Sequence, residues 1–313
     1  MKKNLQNLFG EYVDECRYST QLRPETIRGY RESFRHFSNL MPDVVSADLL
    51  SPEIMTKFFK TLQTRVRFVG YGNNRVEKVG VKASTIKTYW SKLHSFFEWL
   101  HNRGHIEINP LVRLKAPEVE YNDKKALSGE EFHQLIAAAM SQSNILLCKR
   151  DLAMIFILYF CGLRKGELLG MRMADVDMIR FVITVRGETS KSKRDRLLPI
   201  HRKLAMHLED YLKERIKLKY KTEKLFVASN GDHGLTTHGL KHWVKRLSGL
   251  SGVKFHLHQL RHTFACNMAR TGSGVIVLQR LMGHTDPRMT QRYLRSLTVE
   301  DLRGDIDKLT IDI

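Results

Sequence analysis

The sequence predicts a mainly α-helical protein of two domains, the second carrying a small antiparallel β-sheet, and three observations predict it. At 313 residues the chain exceeds the roughly 100–200 residues of an ordinary single domain. Apolar residues recur at helical spacing through most of its length. In the second half of the chain, strand-like runs are confined to two short stretches on either side of one polar turn. A polar, aperiodic stretch from Ala116 to Lys125, containing Pro117, supplies the boundary. Residues 1–116 are therefore expected to form one domain, 117–126 a linker and 127–313 a second domain.

In the first domain a helix beginning near Pro24 turns Ile27, Phe34 and Phe37 inward and Arg28, Arg31 and Arg35 outward. Further on, Ile86, Tyr89, Trp90, Leu93, Phe96, Phe97 and Leu100 form one apolar helix face. The opposite face holds Lys87, Thr88, Ser91 and Lys92. Two amphipathic helices with basic, hydroxyl-rich outer faces suit phosphate contact in a groove, although any single lysine is more often ordinary solvated surface. Between them Arg65 to Lys82, rich in glycine and basic residues, reads as a loop or short hairpin.

The second domain opens with Ser128 as a helix cap and Glu131 three positions on, which is the capping-box spacing. Helix is predicted through Gly170. Phe181 to Val185 and Arg196 to Ile200 then flank the turn Gly187 to Asp195 as a small antiparallel hairpin. Helices follow to the end, with turns at residues 229–232, 271–274 and 286–287.

Fifty-two Lys and Arg stand against 33 Asp and Glu, a formal net charge of +19, which points to a polyanionic partner. Residues 1–116 carry 19 basic and 11 acidic side chains and residues 117–313 carry 33 and 22, so both domains are positive. No polybasic tail or amphipathic surface helix suggests a membrane surface instead. Cys16, Cys148, Cys161 and Cys266 show no CxxC pairing, which argues against a disulfide framework or a zinc site and fits a reducing cytoplasm. The longest apolar run, Leu152 to Leu163, is too short to span a bilayer.

Five short stretches hold groups suited to phosphoryl transfer. In GLRKGEL, Arg164 precedes Glu167 by one helical turn, close enough for the carboxylate to hold the guanidinium. The turn TSKSKRDR carries Lys191 and Lys193, and a lysine delivered there can protonate a leaving oxygen. In HLHQLRHTF, His258, Arg261 and His262 can share one helix face, with no carboxylate or cysteine at zinc-ligand spacing. LMGH brings His284, and TQRY brings Tyr293 nine residues later. Each stretch alone is ordinary: an ion pair, a solvated turn, a packed tyrosine.

Taken in order, GLRKGEL, TSKSKRDRLLPI, HLHQLRHTFA, LMGH and TQRY resemble the tyrosine recombinase (phage integrase) family across nearly the whole second domain. The resemblance implies a helical core-binding domain followed by a catalytic domain. It places the family's catalytic arginines on Arg164 and Arg261, its hairpin lysine on Lys191, its histidines on His258 and His284, and its nucleophile on Tyr293. Counting back from Arg196-Leu197-Leu198-Pro199 favours Lys191, and Lys193 takes the role if that register is wrong.

The implied chemistry needs neither metal nor other cofactor. Tyr293 attacks a scissile phosphate, leaving a 3′-phosphotyrosine and a free 5′ hydroxyl, while Arg164 and Arg261 meet the non-bridging oxygens. A tyrosine with a reference pKa of about 10 needs an acceptor, for which His258 is the candidate. Lys191 serves the leaving oxygen, and His284 binds the phosphate or orients the tyrosine.

The implied partner is double-stranded DNA, clamped between the domains, with Lys87 or Ser91 on one side and Thr237 or Lys241 on the other. A homotetramer on two DNA sites, in the cytoplasm with the nucleoid, is also implied. The acidic tail, Leu297 to Ile313, docks on a neighbour or is a solvated helix. Core-binding helices starting almost at residue 1 leave no room for an arm-binding domain, which leans toward a Xer-like or simple mobile-element recombinase. Two other functions compete: a type IB topoisomerase, which would relax nonspecific circles, and a DNA-binding regulator with a decayed catalytic domain.

Overall fold

The computed structural model describes residues 4–70, 75–119, 125–190 and 192–294. The chain packs as two compact units, 1–122 and 123–313. Both are mainly helical, and each carries one small antiparallel sheet. Among the described residues no helix is long and apolar enough to cross a membrane, and none of the four cysteines is in a disulfide.

In the first unit, helices α1 (Leu5–Asp14), α2 (Pro24–Leu40), α3 (Pro52–Thr64) and α4 (Ala83–Asn102) surround an aromatic core. Proline opens both α2 and α3, where its fixed φ and missing N–H cost nothing. The Ser51 hydroxyl accepts from the Ile54 amide at 3.3 Å, capping α3. Phe9 stacks on Phe34 at 3.9 Å, and Phe96 meets both rings edge-on at 5.1 and 5.5 Å. Ile27, Phe34 and Phe37 are buried while Arg28, Arg31 and Arg35 are exposed, which is the division that the apolar spacing predicts. On α4 Tyr89 and Trp90 are half-buried rather than buried, and the Trp90 indole donates to the Leu114 carbonyl at 3.1 Å. The 65–82 stretch resolves into strands β1 (Val66–Val69) and β2 (Val76–Val79), paired antiparallel.

The second unit is built around α6 (Ile145–Cys161), which is buried along most of its length and packs between α5 (Gly129–Met140), α8 (Arg202–Lys217) and α10 (Leu257–Arg270). Ser128 and Glu131 close the capping box on α5, with bonds of 3.1 and 2.8 Å. Inside this core Asp151 is fully buried and accepts from Arg150, Gln142 and Arg246, so that its charge is paired.

The sheet has three strands rather than the two expected. β4 (Val182–Val185) lies between β3 (Val176–Asp177) and β5 (Arg196–Pro199), all antiparallel. At two residues β3 is too short to display a period-2 pattern. The expected run of helices is also interrupted: residues 218–236 form a coiled excursion, pinned by β-bridges Arg172–Lys224 and Val227–Gly234. Asp232 closes it by accepting from the amides of Lys221 and Thr222 at 2.6 and 2.9 Å. Helices α9 (Thr237–Ser251), α11 (Val275–Met282) and α12 (Arg288–Leu294) complete the described unit.

One glycine fixes how α6 hands over to the site. Gly162 caps α6 at φ 56°, in the left-handed region, and its amide returns to the Leu158 carbonyl. A Cβ there would lie 2.3 Å from the Phe264 ring. Gly162→Ala is therefore expected to destabilise the second unit by about 2 kcal/mol or more. Gly249→Ala, on α9 with open space around its Cβ position, should instead stabilise by about 0.4–1 kcal/mol. Urea unfolding midpoints of the two variants, compared with wild type, check the contrast.

Candidate active site

Short helix α7 (Lys165–Gly170) begins where α6 has turned at Gly162, and it places Glu167 in its first turn. Glu167 is 1% exposed. Its Oε2 accepts from the Arg164 amide at 2.9 Å and its Oε1 from Arg164 Nη1 at 2.9 Å. Arg196, from the start of β5, adds a two-pronged contact to the same carboxylate at 3.0 and 2.8 Å. Arg261 Nη1 lies 3.9 Å from Oε2. One carboxylate thus faces three guanidiniums.

A second set of acceptors completes the cage. The C-terminal end of α11 offers three consecutive carbonyls, and each takes a different arginine. Arg196 Nε donates to Leu281 at 3.0 Å, Arg261 Nη2 to Met282 at 2.7 Å and Arg164 Nη2 to Gly283 at 3.1 Å. These carbonyls have no partner within the helix and lie at the negative end of its dipole, so cations are the natural partners. Gly283, at φ 61°, ends the helix so that this edge faces the arginines. A Cβ on Gly283 would stand 3.0 Å from Arg196 Nη1.

The electrostatics follow from this packing. Burial alone would raise the Glu167 carboxyl, but the contacts of Arg196 and then Arg164 outweigh it and hold the group down at about 2. Burial, then the like charge of Arg164, lowers Arg261 to about 9, which leaves it cationic at neutral pH. Its side chain is 2% exposed, and three of its five N–H bonds go to Gly162, Met282 and His284. Arg164, at 22%, is the more open of the two.

His284 is buried against this cluster. Burial first, then Arg261, Arg164 and Arg196, depress its pKa to about 3, so the ring is neutral. Its Nε2 lies 3.0 Å from Arg261 Nη2, which can only donate; Nε2 therefore accepts and Nδ1 carries the proton, given to Thr290 Oγ1 at 2.8 Å. Thr290 is fully buried on α12, three residues before Tyr293. The Tyr293 ring, 8% exposed, packs with Phe264, Leu278 and Met282. It lies parallel to His284, with centroids 6.3 Å apart, and at 5.4 Å from the His262 ring.

Arg164, Arg261, His284 and Tyr293 thus come together in the second unit. His258, in the first turn of α10, is exposed. Residues 258, 261 and 262, read as one face, have three fates: exposed, buried and half-buried. Lys191 lies outside the described residues, as does the tail from 297 onward. The flanking Ser190 and Ser192 hydroxyls are 2.9 Å apart, and Asp195 accepts from the Gly187 amide at 2.7 Å across the turn. Lys193 is exposed. An open cleft of about 1100 Å³ runs past this turn, lined among others by Ser192, Arg194, Arg196, Arg280 and His284. Of the four DNA-contact candidates, Ser91, Thr237 and Lys241 are exposed and Lys87 is half-buried. Sequence reasoning missed Arg196 and Thr290; their only signals are a basic residue opening an apolar strand and a hydroxyl one helical turn before the tyrosine.

Comparison with known proteins finds relatives of the chain. The phage integrase family profile matches residues 125–300. XerD, a tyrosine recombinase of Listeria monocytogenes serotype 4b (strain F2365), is 29% identical over 279 residues, covering 87% of this chain and 88% of its own. A Tn1549 transposon integrase in complex with a circular intermediate DNA superposes with a TM-score of 0.74 at 19% identity, over 97% of this chain and 98% of its own. A lambda integrase tetramer bound to a Holliday junction superposes at 0.69 and 20% identity, over 99% of this chain and 81% of its own.

The depressed Glu167 pKa has a consequence for stability. Relative to an ordinary value of 4.5, a folded value of about 2 means that the contribution is complete above 4.5 and is lost as pH falls through 2. It amounts to about 3 kcal/mol. Glu167→Gln is expected to lose this acid-side dependence, and near pH 7 to be less stable by about 3–5 kcal/mol, because buried guanidiniums lose their counter-charge. The His284 contribution, lost between about 6.5 and 3, remains in both. Urea midpoints measured across this pH range check the difference.

Proposed function

The chain belongs to the phage integrase family, and on that premise we propose how its residues divide the work. It is a tyrosine recombinase that catalyses site-specific DNA recombination. In the proposed scheme the Tyr293 oxygen attacks the scissile phosphorus, the bond to the 5′ oxygen breaks, and the DNA is held as a 3′-phosphotyrosine. The tyrosine proton passes to His258, and Lys191 supplies the proton that the 5′ oxygen needs to leave as a hydroxyl. Rejoining reverses each transfer, and the phosphotyrosine bond conserves the energy.

The observation that carries the scheme is the cage of three arginines on Glu167 beside Tyr293. Arg164, the more open guanidinium, meets the non-bridging oxygens directly. Buried Arg261 acts through its remaining N–H bonds and its charge. Both are held before substrate arrives, so little reorganisation is required in the transition state. Arg196 is a positioning residue, gripping Glu167 and leaving Arg164 no other place to settle. His284, neutral and tied to Thr290, orients α12 against Arg261.

Lys87 and Ser91 on α4 and Thr237 and Lys241 on α9 are proposed to contact duplex DNA, with the first unit serving as a core-binding domain. By analogy with the lambda integrase tetramer, the working form is a homotetramer on two DNA sites, associated with the nucleoid in the cytoplasm. Integration, excision or resolution, as a Xer-like or simple mobile-element recombinase, is the proposed role.

Nicked suicide duplexes drawn from a randomised pool test the scheme. Wild type is expected to yield SDS-resistant adducts and joined products from paired sites, and Tyr293→Phe to yield none while still binding DNA. An adduct from the phenylalanine variant overturns the nucleophile. Relaxed nonspecific circles without joined sites would instead favour a topoisomerase. Arg164→Ala should slow adduct formation by about 10²–10³-fold.

The positioning role of Arg196 has its own signature. Arg196→Ala is expected to slow single-turnover cleavage by about 10²-fold with duplex affinity little changed. Arg196→Lys should not rescue it, since a point charge cannot replace a fork held at two oxygens.

A further inference from the structure

The hairpin of β1 and β2 has no part in the scheme above, yet its surface is unusual. Register places Val66 opposite Val79 and Phe68 opposite Glu77 on one face, and Arg67 opposite Lys78 and Val69 opposite Val76 on the other. Apart from half-buried Arg67, every strand residue is exposed. Phe68 is 67% and Val79 68% exposed. A two-stranded ribbon with both faces wet is marginally stable by itself, and exposed apolar side chains gathered on one element mark a contact surface.

Charge identifies the partner. From Arg65 to Lys82 the chain carries Arg65, Arg67, Arg75, Lys78 and Lys82 against Glu77 alone. The positive field continues from the ribbon's base onto the helices. Burial raises the Tyr89 hydroxyl of α4, with Glu32 adding to it and Arg65, Arg67 and Arg35 opposing it, and burial, then Arg65 and Arg35, lower His36 of α2 against Glu32. Arg65 Nε is buried without a hydrogen-bond partner. A second copy of so basic a ribbon would be repelled. A two-stranded ribbon fits the major groove of B-DNA, where apolar side chains can meet thymine methyl groups.

We propose that the β1–β2 hairpin is a second DNA-contacting element of the first unit, lying along the duplex beside the outer faces of α2 and α4. Arg75 and Lys78 contact phosphates, and Phe68 and the valines pack on sugars and base edges. This rests on the reading that the chain acts on duplex DNA, and it is independent of the Tyr293 chemistry.

The test uses full-length protein in three forms: wild type, the double variant Arg75→Ala with Lys78→Ala, and a variant with residues 66–79 replaced by an Asn-Gly turn. The Gly80 amide bonds the Arg65 carbonyl at 2.9 Å, so the cut ends already adjoin. Binding to a mixed-sequence duplex is titrated against salt, and hydroxyl-radical footprints are taken on duplexes recovered as wild-type adducts or, if none form, by rounds of binding selection. Loss of two phosphate contacts should flatten the plot of log affinity against log salt by about 1.8, and the turn variant should protect a shorter stretch of DNA. Unchanged slope and footprint in variants with wild-type melting curves overturn the proposal, as does a change in oligomeric state without a change in slope. Suicide-substrate adducts are scored in parallel. A flattened slope with no adduct from wild type supports the ribbon and counts against the nucleophile assignment instead.

Discussion

Three guanidiniums cannot share a small buried volume unless something holds them, and the second unit is arranged around that constraint. Like charges about 4 Å apart repel by roughly 4 kcal/mol at a protein-like dielectric. Glu167 offsets part of this with one carboxylate, and the three free carbonyls at the end of α11 offset more. The result is a preformed site of net positive charge. What neutralises it fully is an anion brought from outside, and a phosphodiester passing through a more highly charged transition state is such an anion.

The same constraint explains which parts of the site were legible in sequence. Arg164 and Glu167 are neighbours on one helical turn, so their spacing alone forecasts the ion pair. The Ser128 box and the β4–β5 hairpin are local in the same sense. Arg196 contacts Glu167 across 29 positions, and nothing in its own neighbourhood distinguishes it from a solvated strand residue. The carbonyls of Leu281, Met282 and Gly283 are invisible for a deeper reason: they are backbone groups, which every residue type carries. The task of Gly283 in exposing those carbonyls emerges only when three arginines arrive from elsewhere in the chain. Likewise residues 258, 261 and 262 fall on one helical stripe, yet α10 leaves the first exposed, buries the second and half-buries the third.

The two units show different relations between sequence and task. The second unit depends on unique partners: Asp151 with Arg150 and Arg246, Glu167 with three arginines, His284 with Thr290. Exchanging one member strands a buried charge or polar group, so each residue type is specified by the others. The first unit packs an aromatic core whose volume many sequences can fill, and its basic surface needs only charge of the right sign. Its proposed DNA-contacting role is therefore written diffusely, in the balance of 19 basic to 11 acidic side chains over residues 1–116, and no short motif marks it.

The buried histidine narrows the proton chemistry. A lysine at position 284 would add a fourth cation to the cluster, and a carboxylate would cancel the charge that phosphate needs. A neutral imidazole does neither, and it offers an acceptor on one side and a donor on the other. In this structure both are committed, Nε2 to Arg261 and Nδ1–H to Thr290. The ring has no free lone pair with which to take the Tyr293 proton, and with a pKa near 3 it would be a poor base at neutral pH in any case. On the proposed scheme His284 is therefore a positioning group. It links buried Arg261 to the helix that carries Tyr293, and on the same scheme the tyrosine proton goes to another acceptor, for which exposed His258 is the proposed one.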